Sequence, residues 1–186
     1  MLVIGLDLSL ASTGYVELVD GEIQKKELIK SKPEGTIPFD ETVRLNNILG
    51  EIVGLLNKHL ITGDRCSPAD LVVLEGLAFM ARNTRSIVQL AGLHFMVRDW
   101  LYRSKCSFIV VAPTTLKKFI TGKGNSPKDT MMMETYKRYG MTLTNNNICD
   151  AFCLAKCGES LLDKSHKPVK LTKPQQEVVE LLKVQL

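Results

Sequence analysis

No run in this sequence approaches the roughly eighteen apolar residues that a membrane span needs. The apolar opening over residues 1–10 is broken by Asp7 and has no basic flank, so it is expected to be neither a membrane anchor nor a secretory leader. Low-complexity tracts and internal repeats are missing too. With 45% hydrophobic and 24% charged residues, the composition excludes a mainly disordered or collagen-like chain. A strong excess of one charge is also lacking. The 24 Lys and Arg against 20 Asp and Glu leave only +4, so bulk charge does not announce a nucleic-acid partner and local clustering must decide. Cysteine is sparse and odd in number, at five, and Cys149, Cys153 and Cys157 recur at helical spacing. That argues against a disulfide framework and for a reducing, cytoplasmic setting.

What is present is the pattern of an α/β protein. Leu2-Val3-Ile4-Gly5-Leu6 is a continuous apolar run, as expected of a strand buried on both faces, and it delivers Asp7 at its C-terminal end. Residues 15–19 and 23–29 read as two further strands joined at Asp20-Gly21, a pair that tolerates positive φ and favours a tight hairpin. Leu45, Ile48, Leu49, Ile52, Leu56 and Leu60 follow a helical period over residues 40–60. Leu71-Val72-Val73-Leu74 repeats the buried-strand pattern and ends in Glu75, and residues 108–111 form another such strand, closed by Ala112-Pro113. Helices are expected over 84–103, over 128–139 with Ser126-Pro127 at its start, over 148–162, and over 175–184 after Pro174. At 186 residues this is one main domain over 1–163, with a basic, proline-punctuated linker and terminal helix over 164–186. The strand order predicts a mixed five-stranded sheet flanked by helices.

Three acids stand at meaningful places: Asp7 after one buried strand, Glu75 after another, and Asp150 near the start of a helix. Sites in such sheets form outside the carboxyl ends of the strands. If those strands are adjacent and parallel, Asp7 and Glu75 lie side by side and Asp150 completes the group from a helix above. Clustered like charges repel, and a hard cation relieves that repulsion; Mg²⁺ or Mn²⁺ suits all-oxygen ligands. Each acid taken alone is also an ordinary solvated strand end or a first-turn helix acid.

The ordered set Ile4-Gly5-Leu6-Asp7-Leu8-Ser9 with Thr13-Gly14, Leu74-Glu75 with Phe79-Met80-Ala81-Arg82-Asn83, Gly122-Lys123-Gly124-Asn125 with Lys128, and Asp150-Ala151 resembles the RuvC-type Holliday-junction resolvases of the ribonuclease H-like superfamily. The resemblance runs from Met1 to about Lys156. It implies a ribonuclease H-like nuclease fold and a homodimeric, metal-dependent endonuclease that cuts four-way DNA junctions symmetrically, in a bacterial or phage-infected cytoplasm. It implies that Asp7, Glu75 and Asp150 are catalytic carboxylates holding two Mg²⁺ or Mn²⁺ ions, one activating water and one stabilising the leaving oxygen. The family's fourth active-site position, an acid or histidine, falls on Asn147. Asparagine offers a neutral carbonyl but no general base, and it also suits a helix N-cap.

For DNA contact, Lys117, Lys118, Lys123 and Lys128 surround a glycine loop through which phosphates can be approached, and Lys117 and Lys128 match the family's DNA-contacting lysines. Phe79, with Arg82, resembles the family's aromatic residue near the crossover; stacking or core packing both suit it. The three helical cysteines read as small core residues rather than a soft-metal site. The helix over 84–103 is expected to have one face against a partner copy. Two other classes stay open: a junction-binding scaffold with weak or no cleavage, and an actin-like phosphotransfer domain, for which the chain is too short to duplicate the fold.

Overall fold

Leu2–Asp7 forms β1, buried at every position. The next two strands, Ser12–Val19 (β2) and Glu22–Lys30 (β3), make the expected hairpin, and its turn residues Asp20 and Gly21 take φ of 48° and 88°. The computed structural model describes residues 1–33, 35, 37–59, 69–77, 84–162 and 171–186. With Leu71–Glu75 (β4) and Phe108–Val111 (β5), the strands form one mixed five-stranded sheet in the order β3-β2-β1-β4-β5. β1 runs antiparallel to β2 and parallel to β4, with Leu6 opposite Leu74. The edge strand β3 carries Lys25, Lys26 and Lys30, charges that discourage pairing with another sheet.

Two helices, Pro38–Leu56 (α1) and Thr84–Arg103 (α2), cover one face around Ile4, Leu6, Ile48, Ile52, Val72, Leu74 and Val97. The other face is covered by Pro113–Thr121 (α3), Lys128–Tyr139 (α4), Asn146–Leu162 (α5) and Lys173–Leu182 (α6). α6 puts Val178, Val179 and Leu182 into the same core as Phe119 and Phe152. Burying each such side chain is worth about 1.5–3 kcal/mol, enough to fasten a short helix. Beyond it, the Gln185 side chain both accepts from the Val110 N–H (3.0 Å) and donates to the Val110 carbonyl (3.1 Å), imitating a strand on the β5 edge.

Several expectations are corrected. α1 starts earlier, at Pro38, because a proline in the first helical turn lacks an N–H that would have no partner there, and it gives way to a 3-10 turn over Asn57–His59. α3 was not expected at all: Pro113 opens a helix rather than merely closing β5, and Leu116, Phe119 and Ile120 bury its apolar side. Ser126 does not cap α4, since its hydroxyl bonds to Thr121 and the Lys123 carbonyl instead. α5 begins two residues early, and its cap is Asn145, whose Oδ1 accepts from the Asn147 and Ile148 amides at 2.9 and 3.2 Å. Asn147 is therefore not the helix cap.

α5 lies directly over β1 and β2, and glycine allows it. A Cβ on Gly5 would stand 1.9 Å from the Ala151 carbonyl oxygen, and one on Gly14 would stand 2.1 Å from that of Asn147. Farther along, Gly158 of α5 faces side chains instead, with Val73 and Val3 methyls 2.5 and 2.9 Å from where its Cβ would stand. Only hydrogens fit at these crossings, so the helix is seated closer to the sheet than side chains would permit.

Candidate active site

The parallel pairing of β1 and β4 ends at Leu6 opposite Leu74, so the next residues, Asp7 and Glu75, emerge side by side at the carboxyl ends of adjacent strands. Asp150 approaches from the first turns of α5, which the Gly5 and Gly14 crossings hold against those strands. All three carboxylates line one cleft of about 360 Å³, together with Ser9, Pro113, Leu116, Lys117, Met131 and Asn147. Asp7 is the deepest, 8% exposed.

The donor set is all oxygen, which suits a hard divalent cation. Among the described residues, no three His, Cys, Asp or Glu side chains are gathered into a metal-holding group. The three carboxylates nevertheless line the same cleft, where their oxygens could hold such a cation.

Of the four expected DNA-contacting lysines, Lys117 lines the cleft. Its neighbour Lys118 points elsewhere, its ammonium 2.7 Å from Glu177 of α6. Consecutive helical residues are rotated by about 100°, so a helix through this segment cannot aim both at one cleft. Lys123 is exposed on the loop after α3, and Lys128 is the first residue of α4. Phe79 and Arg82 lie outside the described residues.

Asn147 is on the cleft and donates its Nδ2–H to the Ser12 carbonyl at 2.6 Å. A carbonyl oxygen can only accept, so the amide's orientation is fixed by that partner. Sequence reasoning missed Ser9, Pro113, Leu116 and Met131 as cleft residues; the helix-opening Pro113 followed by Leu116 was the signal for two of them. Cys149, Cys153 and Cys157 are buried core residues, as expected. Burial pushes the Cys157 thiol up to about 12 and that of Cys153 well above its ordinary range, which disfavours the thiolates a soft metal would need.

A mixed sheet in this order, carrying carboxylates at the ends of its central parallel strands and on a helix crossing them, is a ribonuclease H-like fold, here that of the RuvC-type resolvases. No family model matches the chain. Over 156 residues it is 24% identical to the crossover junction endodeoxyribonuclease RuvC of Brachyspira hyodysenteriae, covering 83% of this chain and 91% of that one. In structure it is similar to Thermus thermophilus RuvC bound to a Holliday junction substrate, with a TM-score of 0.65 at 14% identity over 83% of this chain and 90% of that one. It is also similar to the yeast mitochondrial Holliday junction resolvase, with a TM-score of 0.57 at 11% identity over 98% and 81% of the two chains. The chain thus resembles the RuvC-type Holliday-junction resolvases in both sequence and fold.

Proposed function

We propose that this chain is a metal-dependent, structure-selective endodeoxyribonuclease that resolves four-way and other branched DNA by symmetric phosphodiester hydrolysis. The observation that carries this reading is the single cleft in which Asp7, Glu75 and Asp150 meet Lys117 at the carboxyl ends of two parallel strands. When bound, one or two Mg²⁺ or Mn²⁺ ions held by these carboxylates supply the charge that acidifies water and stabilises the leaving oxygen. The chain's own residues do the rest. Lys117 brings a phosphate to the carboxylates, Ser9 lines the cleft just after Asp7, and Pro113, Leu116 and Met131 form an apolar wall that limits bulk water. Lys123, exposed on the loop after α3, extends the basic approach for the DNA backbone. This is work for the cytoplasm of a bacterium or of a phage-infected host. Among the described residues no helix is long and apolar enough to cross a membrane.

A second copy completes the reading. Val88, Phe95 and Tyr102 repeat every seven residues along α2 and are 65%, 62% and 77% exposed, while Leu93, Val97 and Leu101 are buried beneath the helix. Paired across a two-fold axis, that stripe would be covered and would present two clefts to the two-fold symmetric arms of a junction.

The test is cleavage of a labelled four-way junction, beside linear duplex and a flap, in Mg²⁺, Mn²⁺ and chelator. Paired nicks confined to branched DNA, dependent on metal and abolished in Asp7→Asn while junction binding persists, are expected. Tight binding with no nicks in either metal would make the chain a junction-binding scaffold instead.

A further inference from the structure

We infer that the turn joining β1 to β2, which carries Ser9 into the cleft, is a positioned part of the active site, clamped from opposite faces of the sheet by Arg44 and Asn147. This deepens the proposed nuclease reading and rests on it. The turn begins at Leu8, directly after Asp7, so any drift in it moves the deepest carboxylate and the Ser9 hydroxyl together.

Within itself the turn is tied only locally. The Ser9 amide donates to Thr13 Oγ1 at 3.0 Å, the Thr13 hydroxyl donates back to the Ser9 carbonyl at 2.8 Å, and Ser9 Oγ accepts from the Ala11 and Ser12 amides at 3.3 and 3.4 Å. These are short-range bonds of a kind that also form in a loose loop. Ser12 and Thr13 open β2 and pair with Lys30 and Ile29 of β3, so what remains to be anchored is the stretch over residues 8–11 and its junction with β2.

On the α1 face, Arg44 donates from Nη2 to the Leu10 carbonyl at 2.5 Å and from Nε to Ser31 Oγ at 3.0 Å. The Ser31 amide in turn donates to the Ala11 carbonyl at 3.1 Å. One guanidinium thus staples the turn to the end of β3, a task its rigid fork of donors suits. On the α5 face, Asn147 donates to the Ser12 carbonyl at 2.6 Å, from a position fixed by the Asn145 cap and by the close seat of its backbone over Gly14. The two anchors grip carbonyls two residues apart from opposite sides of the sheet.

The chemistry of the Asn147 contact decides what this residue is for. Facing a carbonyl, it must donate, and a carboxylate of the same shape would set two acceptors against each other. Asn147 is therefore a positioning residue acting through the turn. Its amide is required as an amide, and an acid there would be worse than alanine.

The experiment compares Asn147→Asp, Asn147→Ala, Arg44→Ala and Arg44→Lys with the wild-type chain. It reads backbone amide exchange across residues 9–13, single-turnover junction cleavage, and the cation concentration at half-maximal rate. Losing either anchor should speed exchange in the turn about tenfold and slow cleavage by at least as much, the consequence of one part-buried hydrogen bond. The half-saturating cation concentration should rise with the loss of rate, since Asp7 moves with the turn, while exchange elsewhere in the sheet stays as in wild type, a split that general destabilisation would not give. Arg44→Lys, which keeps one donor, should recover part of both effects. Asn147→Asp should be no better than Asn147→Ala. The inference is overturned if Asn147→Asp keeps the turn protected and lowers the half-saturating cation concentration, which would make the position a metal-ligand site. It is equally overturned if Arg44→Ala leaves exchange unchanged. A wild-type chain that cuts nothing in Mg²⁺ or Mn²⁺ would sink the nuclease reading, while the exchange data would still decide the clamp.

Discussion

A methyl group on Gly5 would stand 1.9 Å from the carbonyl oxygen of Ala151 and 2.8 Å from the Ala155 amide nitrogen. Both are backbone atoms of α5, so neither can swing aside as a side-chain tip would. Asp150 is the residue before Ala151, and Asp7 lies two residues beyond Gly5, so this contact sets the separation of two carboxylates that the proposed cleavage needs together. Gly5→Ala should push α5 off the sheet. The expected cost is at the upper end of the roughly 1–3 kcal/mol typical of overpacked cores, or beyond it, with cleavage lost even where the chain still folds. Denaturant unfolding beside junction cleavage checks this. A variant as stable and as active as wild type would show that the close seat of α5 does not matter.

Lys117 lines the cleft, while its neighbour Lys118 pairs with Glu177. Lys117→Ala should weaken junction binding measured in chelator and lower the slope of log affinity against log salt by about one, as expected when one phosphate contact is lost. Lys118→Ala should leave that slope unchanged. It removes a half-exposed pair with Glu177, and such pairs contribute about 0–1 kcal/mol to stability. Equal effects of the two on the salt slope would return Lys118 to the DNA-binding surface.

How far the sequence could be read follows from the range of the interactions involved. Asp7 and Glu75 were legible because two buried strands each end in an acid, a local pattern whose parallel pairing then places the acids together. Asp150 was legible as an early helical acid. The Lys118 contact was not, because it depends on α3, and the basic segment after Ala112-Pro113 masks the apolar period of Leu116, Phe119 and Ile120. The bond from Asn147 to Ser12 joins residues 135 apart, and nothing in either neighbourhood announces it. Asn145, one of three consecutive asparagines, took the capping role that Asn147 also suited, since composition alone does not say where a helix begins.

Association should depend on the exposed stripe of α2. Phe95 sits midway between Val88 and Tyr102, with the Arg98 guanidinium 4.9 Å from the centre of its ring. Phe95→Glu puts a charge at the centre of that stripe and removes nothing from the buried side of the helix. Sedimentation should show a dimer for wild type and a monomer for Phe95→Glu with unchanged helical content. The variant should nick one strand of a junction at a time rather than both together. A wild-type monomer at the concentrations used for cleavage would rule the stripe out as a self-association face.

His94 gives the chain an acid sensitivity separate from its carboxylates. It is buried on α2, and desolvation, helped by the charge of Arg98, lowers its pKa from 6.5 to about 4. The native chain therefore keeps the ring neutral where the unfolded chain protonates it. Below about pH 6.5 the unfolded state binds the extra proton, so stability is full above that pH, falls as the pH drops toward 4, and levels off once both states are protonated. The loss from this one residue is up to about 3 kcal/mol, by conversion of the shift. His94→Gln should flatten the stability profile between pH 6.5 and 4 relative to wild type, whatever it does to stability at neutral pH. Urea unfolding across that range makes the comparison. Parallel profiles for the two chains would mean that His94 is protonated in the folded state and finds an acceptor there.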